Sequence, residues 1–313
     1  MMRTPAVHDG EAPKRFRPPP LQSRGLQVGV LAPGRAVGAS AGTLSAGSKL
    51  PCADRWEPVL TRGVPAVACI ALVLAVAGCT PAARAAAPSP VRGSVGELFA
   101  AGSSSPSCTA SVVRSVPGNV VLAAAHCLVG TGAGTRFVPG YAGGARPYGT
   151  WTVTAAYVDR RWRLSRDPLH DYAFLVLAAQ VTAGRRHQVQ DLTGAERLSS
   201  AGPLTAEVAV PAYMSGRQVS CTAATYRTGG FPSFDCGGFA GGTSGSPWLL
   251  APAPAPGAGD PSVVGVIGGL HQGGCFPWTS YSAPFDSATA AVFTRAATGG
   301  AADVLPVPGG DGC

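Results

Sequence analysis

Three short segments of this chain each place a chemically reactive side chain beside residues that would fix its position. His126 ends an apolar, strand-like stretch and is followed at once by Cys127. Asp171 directly precedes a second apolar stretch. Ser244 lies in the glycine-rich segment 241–247, and glycines in a tight turn allow backbone N–H groups to converge on one point. A serine hydroxyl is a weak nucleophile until a base accepts its proton, so the three segments predict catalysis by an activated serine.

Neighbouring residues offer alternatives to two of these side chains. Asp159 and Asp167 lie near Asp171 in the sequence, but only Asp171 directly precedes the apolar stretch. Ser246 is the nearest alternative to Ser244, although a proline follows it directly. Simpler interpretations also stay open: a histidine at a strand end that meets solvent, and a serine in an ordinary glycine-rich turn.

The composition restricts the class of protein to which these segments belong. The 313 residues have a formal net charge of +8, and only 13% are charged, which excludes a disordered polyelectrolyte. The 43 glycines and 29 prolines favour short strands joined by many turns over a helical bundle. The basic excess is mild, so no nucleic acid is expected as a partner. The run Arg160–Arg163 is interpreted as a solvated loop that Trp162 anchors.

Strand-like segments recur at short intervals along the second two thirds of the chain and are followed by one helix. The helix is predicted over Asp286–Arg295, and residues 251–261 are predicted to form a hairpin tip or an insertion. The strands are predicted at residues 111–114, 119–123, 135–138, 150–158, 172–177, 207–210, 219–223, 248–250 and 263–267. An all-β domain with the reactive side chains between two Greek-key barrels accounts for this pattern.

The first part of the chain has features of export. Residues 1–60 are interpreted as a disordered leader, or as a segment upstream of the true start of translation. Residues 61–79 combine a basic flank, an apolar run and small residues, as a secretory signal does. The segment's end resembles a bacterial lipobox in which Cys79 would carry a lipid, and an ordinary cleavage a few residues later stays open. Residues 80–106 are predicted to be a flexible tether.

The number and position of the cysteines also indicate an exported protein. Six of the nine cysteines follow the signal segment, and six cysteines in an exported domain predict three disulfides with fifteen possible pairings. No two of them have the Cys-x-x-Cys spacing of a zinc site, so neither a metal nor another cofactor is expected. The six are Cys108, Cys127, Cys221, Cys236, Cys275 and Cys313.

Over about residues 105–297 the sequence resembles the trypsin-like, chymotrypsin-fold serine endopeptidases. The resemblance rests on three motifs in the family's order: Ala-Ala-His-Cys ending at Cys127, Asp-x-Ala-x-Leu beginning at Asp171, and Gly-x-Ser-Gly-Ser-Pro around Ser244. The last motif is most similar to the bacterial glutamyl-endopeptidase branch and its secreted relatives. The resemblance implies a monomeric enzyme that hydrolyses peptide bonds of polypeptide substrates through a His-Asp-Ser triad and an acyl-enzyme.

The resemblance also implies a role for each reactive residue. His126 would accept the proton of Ser244 and later protonate the leaving amine, while Asp171 would hold His126 in the required tautomer. The first serine of the motif is the catalytic one in the family, which favours Ser244 over Ser246. The N–H groups of Gly242 and Ser244 would form the oxyanion hole.

The fold that the resemblance implies consists of two Greek-key six-stranded β-barrels with a C-terminal helix. The protease domain would cover residues 107–298, with a first barrel at about 107–190, a second at about 191–298, and a tail at 299–313. Cys108–Cys127 is the expected disulfide beside His126. The other four cysteines are expected to pair as Cys221–Cys236 and Cys275–Cys313, with Cys236–Cys275 as the open alternative.

Two residues are expected to form the specificity pocket. In trypsin-like enzymes an acid six residues before the nucleophile selects arginine or lysine. Gly238 holds that position here, so tryptic specificity is not expected unless the loop brings Asp235 into the site. His271 falls near the place where the glutamyl branch binds a substrate carboxylate, and a protonated imidazole there would favour an acidic side chain. A position beyond the pocket, in the loop before Cys275, is the open alternative.

Two other functions compete with the endopeptidase. A serine esterase of the α/β-hydrolase type would use Ser244, Asp260 and His271 in that order, but Ser246 replaces the second glycine of its motif and no alternation of strands and helices precedes it. A catalytically silent barrel would instead bind a partner at the cell surface. Export predicts a secreted protein, or one that is attached to the outer face of the cell membrane through Cys79.

Overall fold

The computed structural model describes residues 84–200, 206–250 and 260–313, so the leader, the signal segment and Cys79 lie outside the described residues. The α-helices are α1 (Arg160–Ser165), α2 (Val189–Thr193) and α3 (Ser287–Thr298), and 3-10 helices cover Ala125–Cys127, Pro168–His170 and Leu270–Gly273. The strands are β1 (Ala87–Pro88), β2 (Val95–Phe99), β3 (Cys108–Val112), β4 (Val120–Ala123), β5 (Arg136–Pro139), β6 (Trp151–Val158), β7 (Ala173–Leu177), β8 (Gln180–Thr182), β9 (Arg185–His187), β10 (Arg197–Leu198), β11 (Glu207–Met214), β12 (Arg217–Thr228), β13 (Phe231–Asp235), β14 (Pro247–Leu250), β15 (Ser262–Val266) and β16 (Thr279–Tyr281). None of the described helices is long and apolar enough to cross a membrane.

The first half of the described domain is a closed barrel of six antiparallel strands, in the order β2, β3, β4, β7, β6, β5. Apolar runs favour β4 and β7, and alternation of apolar and polar residues favours β6. In β6, for example, Trp151 and Val153 are buried while Thr152 and Thr154 are exposed. The buried side chains meet inside the barrel in one cluster that includes Trp151, Phe137 and Leu175.

The second half is an eight-stranded sheet in the order β10, β15, β14, β11, β12, β13, β16, with β1 added to β12. The long strand β12 connects its two parts, because residues 217–224 pair with β11 and residues 225–228 pair with β13. Five of the strands contribute to one core around Trp248 and Phe234. The all-β prediction is therefore confirmed, and the described second half has eight strands where the expectation was six.

The two halves pack against each other through a shared apolar cluster. Tyr172 and Phe174 from the first barrel meet Leu249 and Val266 from the second sheet in this cluster, to which Val292 of α3 belongs. Helix α3 begins after Asp286, whose side chain accepts hydrogen bonds from the backbone N–H groups of the first turn, and it ends at Gly299 with a left-handed conformation. The predicted helix is confirmed, and it runs three residues further than expected.

The expectation of a flexible tether is wrong in its second half, because β2 is a fully buried strand of the first barrel. The sequence of β2, Val-Gly-Glu-Leu-Phe, does not indicate a strand, because glycine and glutamate are both depleted in strands. Gly96 is required because a Cβ there would lie 2.3 Å from the Val138 carbonyl oxygen. Glu97 is only 2% exposed although it is ionisable. Further upstream, β1 pairs with β12, so this segment too is part of the fold.

The arginine run differs from the expected loop, whereas the cysteines pair as expected. Residues 160–165 form helix α1 rather than a loop, and its anchor is Trp162, which is buried as expected. The three disulfides are Cys108–Cys127, Cys221–Cys236 and Cys275–Cys313. The expected pairing is therefore confirmed, and the alternative Cys236–Cys275 is wrong. Residues 251–259 of the predicted hairpin tip lie outside the described residues, although β14 and β15 on either side pair antiparallel.

Candidate active site

His126 occupies the 3-10 helix that follows β4, at the edge of the first barrel. The disulfide from Cys127 to Cys108 ties this turn to the neighbouring strand β3. The side chain of His126 is only 7% exposed, so protein surrounds its ring on nearly all sides. The predicted position of the histidine, at a strand end beside a disulfide, is the position that the structure shows.

Asp171 is fully buried beneath His126 and accepts three hydrogen bonds. Its Oδ1 accepts the backbone N–H of His126 at 2.9 Å, and its Oδ2 lies 2.7 Å from His126 Nδ1. Oδ2 also accepts the backbone N–H of Gly269 at 2.8 Å. Because an ionised carboxylate can only accept, Nδ1 must carry the proton, and in a neutral imidazole Nε2 is then the proton acceptor.

The two alternative aspartates have other partners. Asp159 accepts the N–H of Arg161 at the start of α1, and Asp167 accepts the N–H of Leu169 at the start of the adjacent 3-10 helix. Both therefore act as N-caps of helical turns, a role for which aspartate is preferred. Asp171 is the one of the three that contacts His126.

The loop that carries Ser244 is pressed against the first barrel. The N–H of Thr109 in β3 donates to the Ser244 carbonyl at 2.8 Å, and the Thr109 hydroxyl donates to the Gly242 carbonyl at 2.9 Å. Gly245 has a φ of +81°, and a Cβ there would lie 2.2 Å from the Thr109 carbonyl oxygen. Glycine is thus required at this position both by conformation and by space.

Ser244 and Ser246 have different environments. Ser244 is half-buried and lines a cleft, whereas Ser246 is fully buried and its hydroxyl has no partner among the described residues. A substrate in the cleft therefore has access to Ser244 and not to Ser246.

The backbone around Ser244 has two N–H groups that are not used by the protein. The N–H groups of Thr243, Gly245 and Ser246 donate to carbonyl oxygens of the loop or of Ile267. Those of Gly242 and Ser244 have no acceptor in the described part of the chain. Gly242 has a φ of +98°, which an L side chain rarely adopts. Two free N–H groups beside a nucleophile are the donors that an oxyanion hole needs.

His126 and Ser244 both line a cleft of about 680 Å³ that lies between the two halves of the domain. Within the described residues no hydrogen bond joins them directly, in line with substrate-free sites, where catalytic hydrogen bonds are often long. The cleft is lined on the second-sheet side by two loops, residues 239–244 and 271–277, and by Asp311.

Of the two residues predicted to form the specificity pocket, His271 lines the cleft and Gly238 does not. Gly238 does not line the cleft, which begins at Phe239. Its φ of +94° turns the chain so that it faces Ala86 of the N-terminal segment. Asp235 is not displaced into the site, since it accepts the hydroxyls of Tyr226 and Thr279 outside the cleft. His271 does line the cleft, and its Nδ1 lies 3.0 Å from the Asp311 carbonyl oxygen.

The alternative esterase triad does not form. Asp260 pairs with Arg114 at the surface, and it is not among the residues that line the cleft with Ser244 and His271. Within the described residues the named strands pair antiparallel apart from the short β10–β15 pair, and the parallel strand–helix units on which such enzymes are built are absent. Asp260 therefore has a surface role in this fold.

Two ionisable residues behind the cleft are perturbed by burial. Burial raises the pKa of Glu97 in β2 to about 7, against a partial opposing effect of a backbone hydrogen bond from Gly216. Burial also raises the pKa of the neighbouring Tyr213, whose backbone N–H donates to the Thr109 hydroxyl. Neither Glu97 nor Tyr213 lines the cleft.

Two groups of potential metal ligands lie near the cleft among the described residues: Cys108, His126 and Cys127, and His271, Cys275 and Cys313. All four cysteines are in disulfides, so none of them has the thiolate that binds a metal. Each group has a histidine as its remaining ligand, which is fewer than a zinc site requires.

Comparison of the structure with solved structures gives clear matches. The crystal structure of protease Anisep from Arthrobacter nicotinovorans is 25% identical to this chain, with a TM-score of 0.54, and the match covers 68% of this chain and 99% of that one. A thermostable serine protease, AL20, from an extremophilic microorganism is 24% identical, with a TM-score of 0.54 over 66% and 98% of the two chains. A Glu endopeptidase in complex with MPD is 14% identical, with a TM-score of 0.54 over 70% and 100%.

The sequence itself matches no model of a known protein family and no curated protein. The structural matches nevertheless agree with the barrel topology and with the single long helix at the end of the domain. The chain has the chymotrypsin-like fold of the trypsin-like serine proteases, as the motifs predict. This fold supports a protease function in general terms.

Proposed function

We propose that this protein is a serine endopeptidase whose triad consists of Ser244, His126 and Asp171. One observation carries the proposal. A buried carboxylate binds the Nδ1 side of a histidine at 2.7 Å, and that histidine shares a cleft with a half-buried serine. The carboxylate fixes the tautomer in which Nε2 can act as a base, which is the arrangement that activates a serine.

The reaction would proceed in two stages. Ser244 Oγ attacks the carbonyl carbon of the scissile bond while His126 Nε2 takes its proton, and the carbonyl oxygen becomes an oxyanion. The N–H groups of Gly242 and Ser244 stabilise this oxyanion. His126 then gives its proton to the leaving amine, the C–N bond breaks, and an acyl-enzyme remains. A water molecule repeats the same steps, with His126 again as base, and releases the acid and the free serine.

The substrate preference is a separate part of the proposal. The ring of His271 lines the cleft, and because Nδ1 faces the Asp311 carbonyl, Nε2 is the nitrogen that can meet a substrate. A protonated His271 would favour an acidic side chain before the cleaved bond. A panel of peptides that differ only at this residue tests the preference, and equal cleavage after Glu and Leu would contradict it.

Location and oligomeric state also remain proposals. Three disulfides within the described domain point to an oxidising, extracellular compartment. We infer export through the signal at residues 61–79, with Cys79 as the candidate lipid-bearing residue, and a monomeric enzyme. The mass of the mature protein from a native host distinguishes a lipid on Cys79 from cleavage further along the chain.

Labelling with a fluorophosphonate that reacts with activated serines tests the catalytic assignment directly. We expect the wild-type protein and Ser246→Ala to be labelled, and Ser244→Ala to remain unlabelled. Digestion of a denatured protein, read by mass spectrometry, should then yield internal cleavages that require Ser244. Absence of labelling in the folded wild-type protein would refute the triad and would support a silent barrel that binds a partner.

A further inference from the structure

The segment after helix α3 packs against the first barrel. The backbone N–H of Asp303 donates to the Ala156 carbonyl at 2.9 Å, and the side chain of Asp303 pairs with Arg295 at 2.6 Å. Leu305 is buried in the core of the first barrel and exchanges backbone hydrogen bonds with Gly130. The path of residues 299–308 is thus fixed by the first barrel.

The next residues are Gly309–Cys313, of which Asp311 lines the cleft, and three links join this segment to the cleft wall. We call this segment the tail clasp. The side-chain amide of Gln272 donates to the Gly309 carbonyl at 2.8 Å, and Nδ1 of His271 lies 3.0 Å from the Asp311 carbonyl oxygen. The third link is the disulfide Cys275–Cys313. All three partners belong to one short turn of the second sheet.

That turn has a conformation that needs support from outside. His271 and Gln272 are consecutive residues with φ values of 52° and 53°, in the left-handed region that residues with a side chain avoid. Such strained residues persist where the surrounding structure holds them, and they cluster at functional sites. Two of the three links of the clasp fall on these two residues, so the clasp holds them together with the turn's own backbone hydrogen bonds.

The clasp also contributes to the cleft surface. Asp311 lines the cleft together with His271, Gln272 and Cys275, and Gly312 packs so closely that a Cβ there would lie 3.3 Å from His271 Nδ1. By contrast, the adjacent residues Gly268 and Gly269 are held by other partners, Tyr281 and Asp171. Release of the clasp would therefore disturb the wall at residues 271–275 and leave the hydrogen bonds of Asp171 in place.

We propose that the tail clasp is a positioning element for substrate recognition, because it fixes His271 and the wall around it. This inference rests on the proposed endopeptidase function and adds to it. The clasp touches the wall that a substrate side chain meets and none of the three triad residues. Its loss should raise KM and weaken selectivity between substrates, and should leave the reactivity of Ser244 nearly unchanged.

The test uses the full chain with both cysteines of the clasp replaced, Cys275→Ser with Cys313→Ser, so that no free thiol remains. The matched control removes the other disulfide of the second sheet, Cys221→Ser with Cys236→Ser, which does not line the cleft. We expect the clasp variant to lose about tenfold or more in kcat/KM for the best peptide, chiefly through KM, as loss of binding contacts does. Its rate of labelling by a small fluorophosphonate should stay within about threefold of wild type, because that reagent needs the triad and the oxyanion hole.

A second variant covers the case in which the double replacement does not fold. Gln272→Ala keeps the disulfide and removes one link, and we expect a KM several-fold higher with kcat retained, the size that one hydrogen bond provides. Wild-type KM and wild-type peptide preference in a folded clasp variant would overturn the proposal. So would a labelling rate that falls in step with peptide hydrolysis. A wild-type protein that is never labelled would instead refute the endopeptidase function itself.

Discussion

Replacement of Thr109 by valine should impair catalysis although Thr109 is not in the cleft. Thr109 is fully buried in β3, and its hydroxyl donates to the Gly242 carbonyl at 2.9 Å and accepts the Tyr213 N–H at 3.1 Å. Valine has nearly the same shape and has no hydroxyl. Thr109→Val therefore removes the partner of two backbone groups: the buried Tyr213 N–H and the part-buried Gly242 carbonyl, which belongs to the loop that carries Ser244.

The size of the effect follows from these two hydrogen bonds. A buried polar group that loses its partner costs about 1–3 kcal/mol, and the part-buried Gly242 carbonyl should cost less, so Thr109→Val should lower the free energy of unfolding by about 2–4 kcal/mol. Loss of a whole oxyanion donor lowers kcat by about 10²–10³-fold. Thr109→Val releases the carbonyl of Gly242 and not its N–H, so we expect a smaller fall in kcat, of about tenfold to a hundredfold.

Thr109→Ser is the matched control, because serine keeps the hydroxyl and loses one methyl group, at a cost of about 1 kcal/mol. Urea unfolding measures stability, and kcat is measured at a temperature where both variants are fully folded. Wild-type kcat in folded Thr109→Val would refute the view that this hydroxyl positions the oxyanion hole. An equal loss of kcat in Thr109→Ser would show that packing, and not the hydroxyl, matters at this position.

Three further outcomes are expected. Asp171→Asn should lower kcat about 10⁴-fold. An amide cannot accept all three of the hydrogen bonds that Asp171 accepts, from His126 Nδ1 and from the backbone N–H groups of His126 and Gly269. Peptide kinetics together with phosphonate labelling measure the loss. Ser246→Ala should leave kcat unchanged and should not lower the unfolding midpoint, because the lost hydroxyl is buried without a described partner; a tenfold fall in kcat would contradict the assignment of Ser244. Glu97 has a pKa raised to about 7 by burial, so its contribution to stability is present below about pH 4.5 and is lost as the pH rises through 7. Relative to the wild type, the free energy of unfolding of Glu97→Gln should therefore rise by up to about 3 kcal/mol between pH 5 and pH 8. Urea unfolding measures this difference, and a difference that does not change with pH would contradict the prediction.

The parts of the structure that the sequence predicted are those whose signals are local. The strands around His126 and Asp171 show runs of apolar residues, and the turn at Ser244 requires glycines within a few residues. Such patterns report burial and backbone conformation directly. For the same reason helix α3 could be predicted, since its buried face repeats at helical spacing and Asp286 caps it.

The parts that the sequence did not predict depend on partners far away in the chain. Strand β2 contains a glycine because Val138 approaches it, and nothing near Gly96 in the sequence reveals that approach. Gly238 is the position counted from Ser244, but the cleft wall begins one residue later, and a Cβ at Gly238 would instead meet Ala86 of the N-terminal segment. A count along the chain cannot detect a neighbour from another segment.

The arrangement of these distant contacts explains how a site divided between two halves can be held together. Asp171 reaches across from the first barrel to the Gly269 N–H of the second sheet, and Thr109 reaches across to the loop of Ser244. Both links are hydrogen bonds to backbone groups of loop residues in the second half, Gly269 and Gly242. The His126–Asp171 pair and the proposed oxyanion donors thus keep their relative position because each is tied to the opposite half. Catalysis by electrostatic stabilisation depends on groups that are already in place before the substrate binds. The loops at residues 239–244 and 271–277, which would meet a substrate side chain under the proposed function, can therefore vary as long as these two cross-links remain.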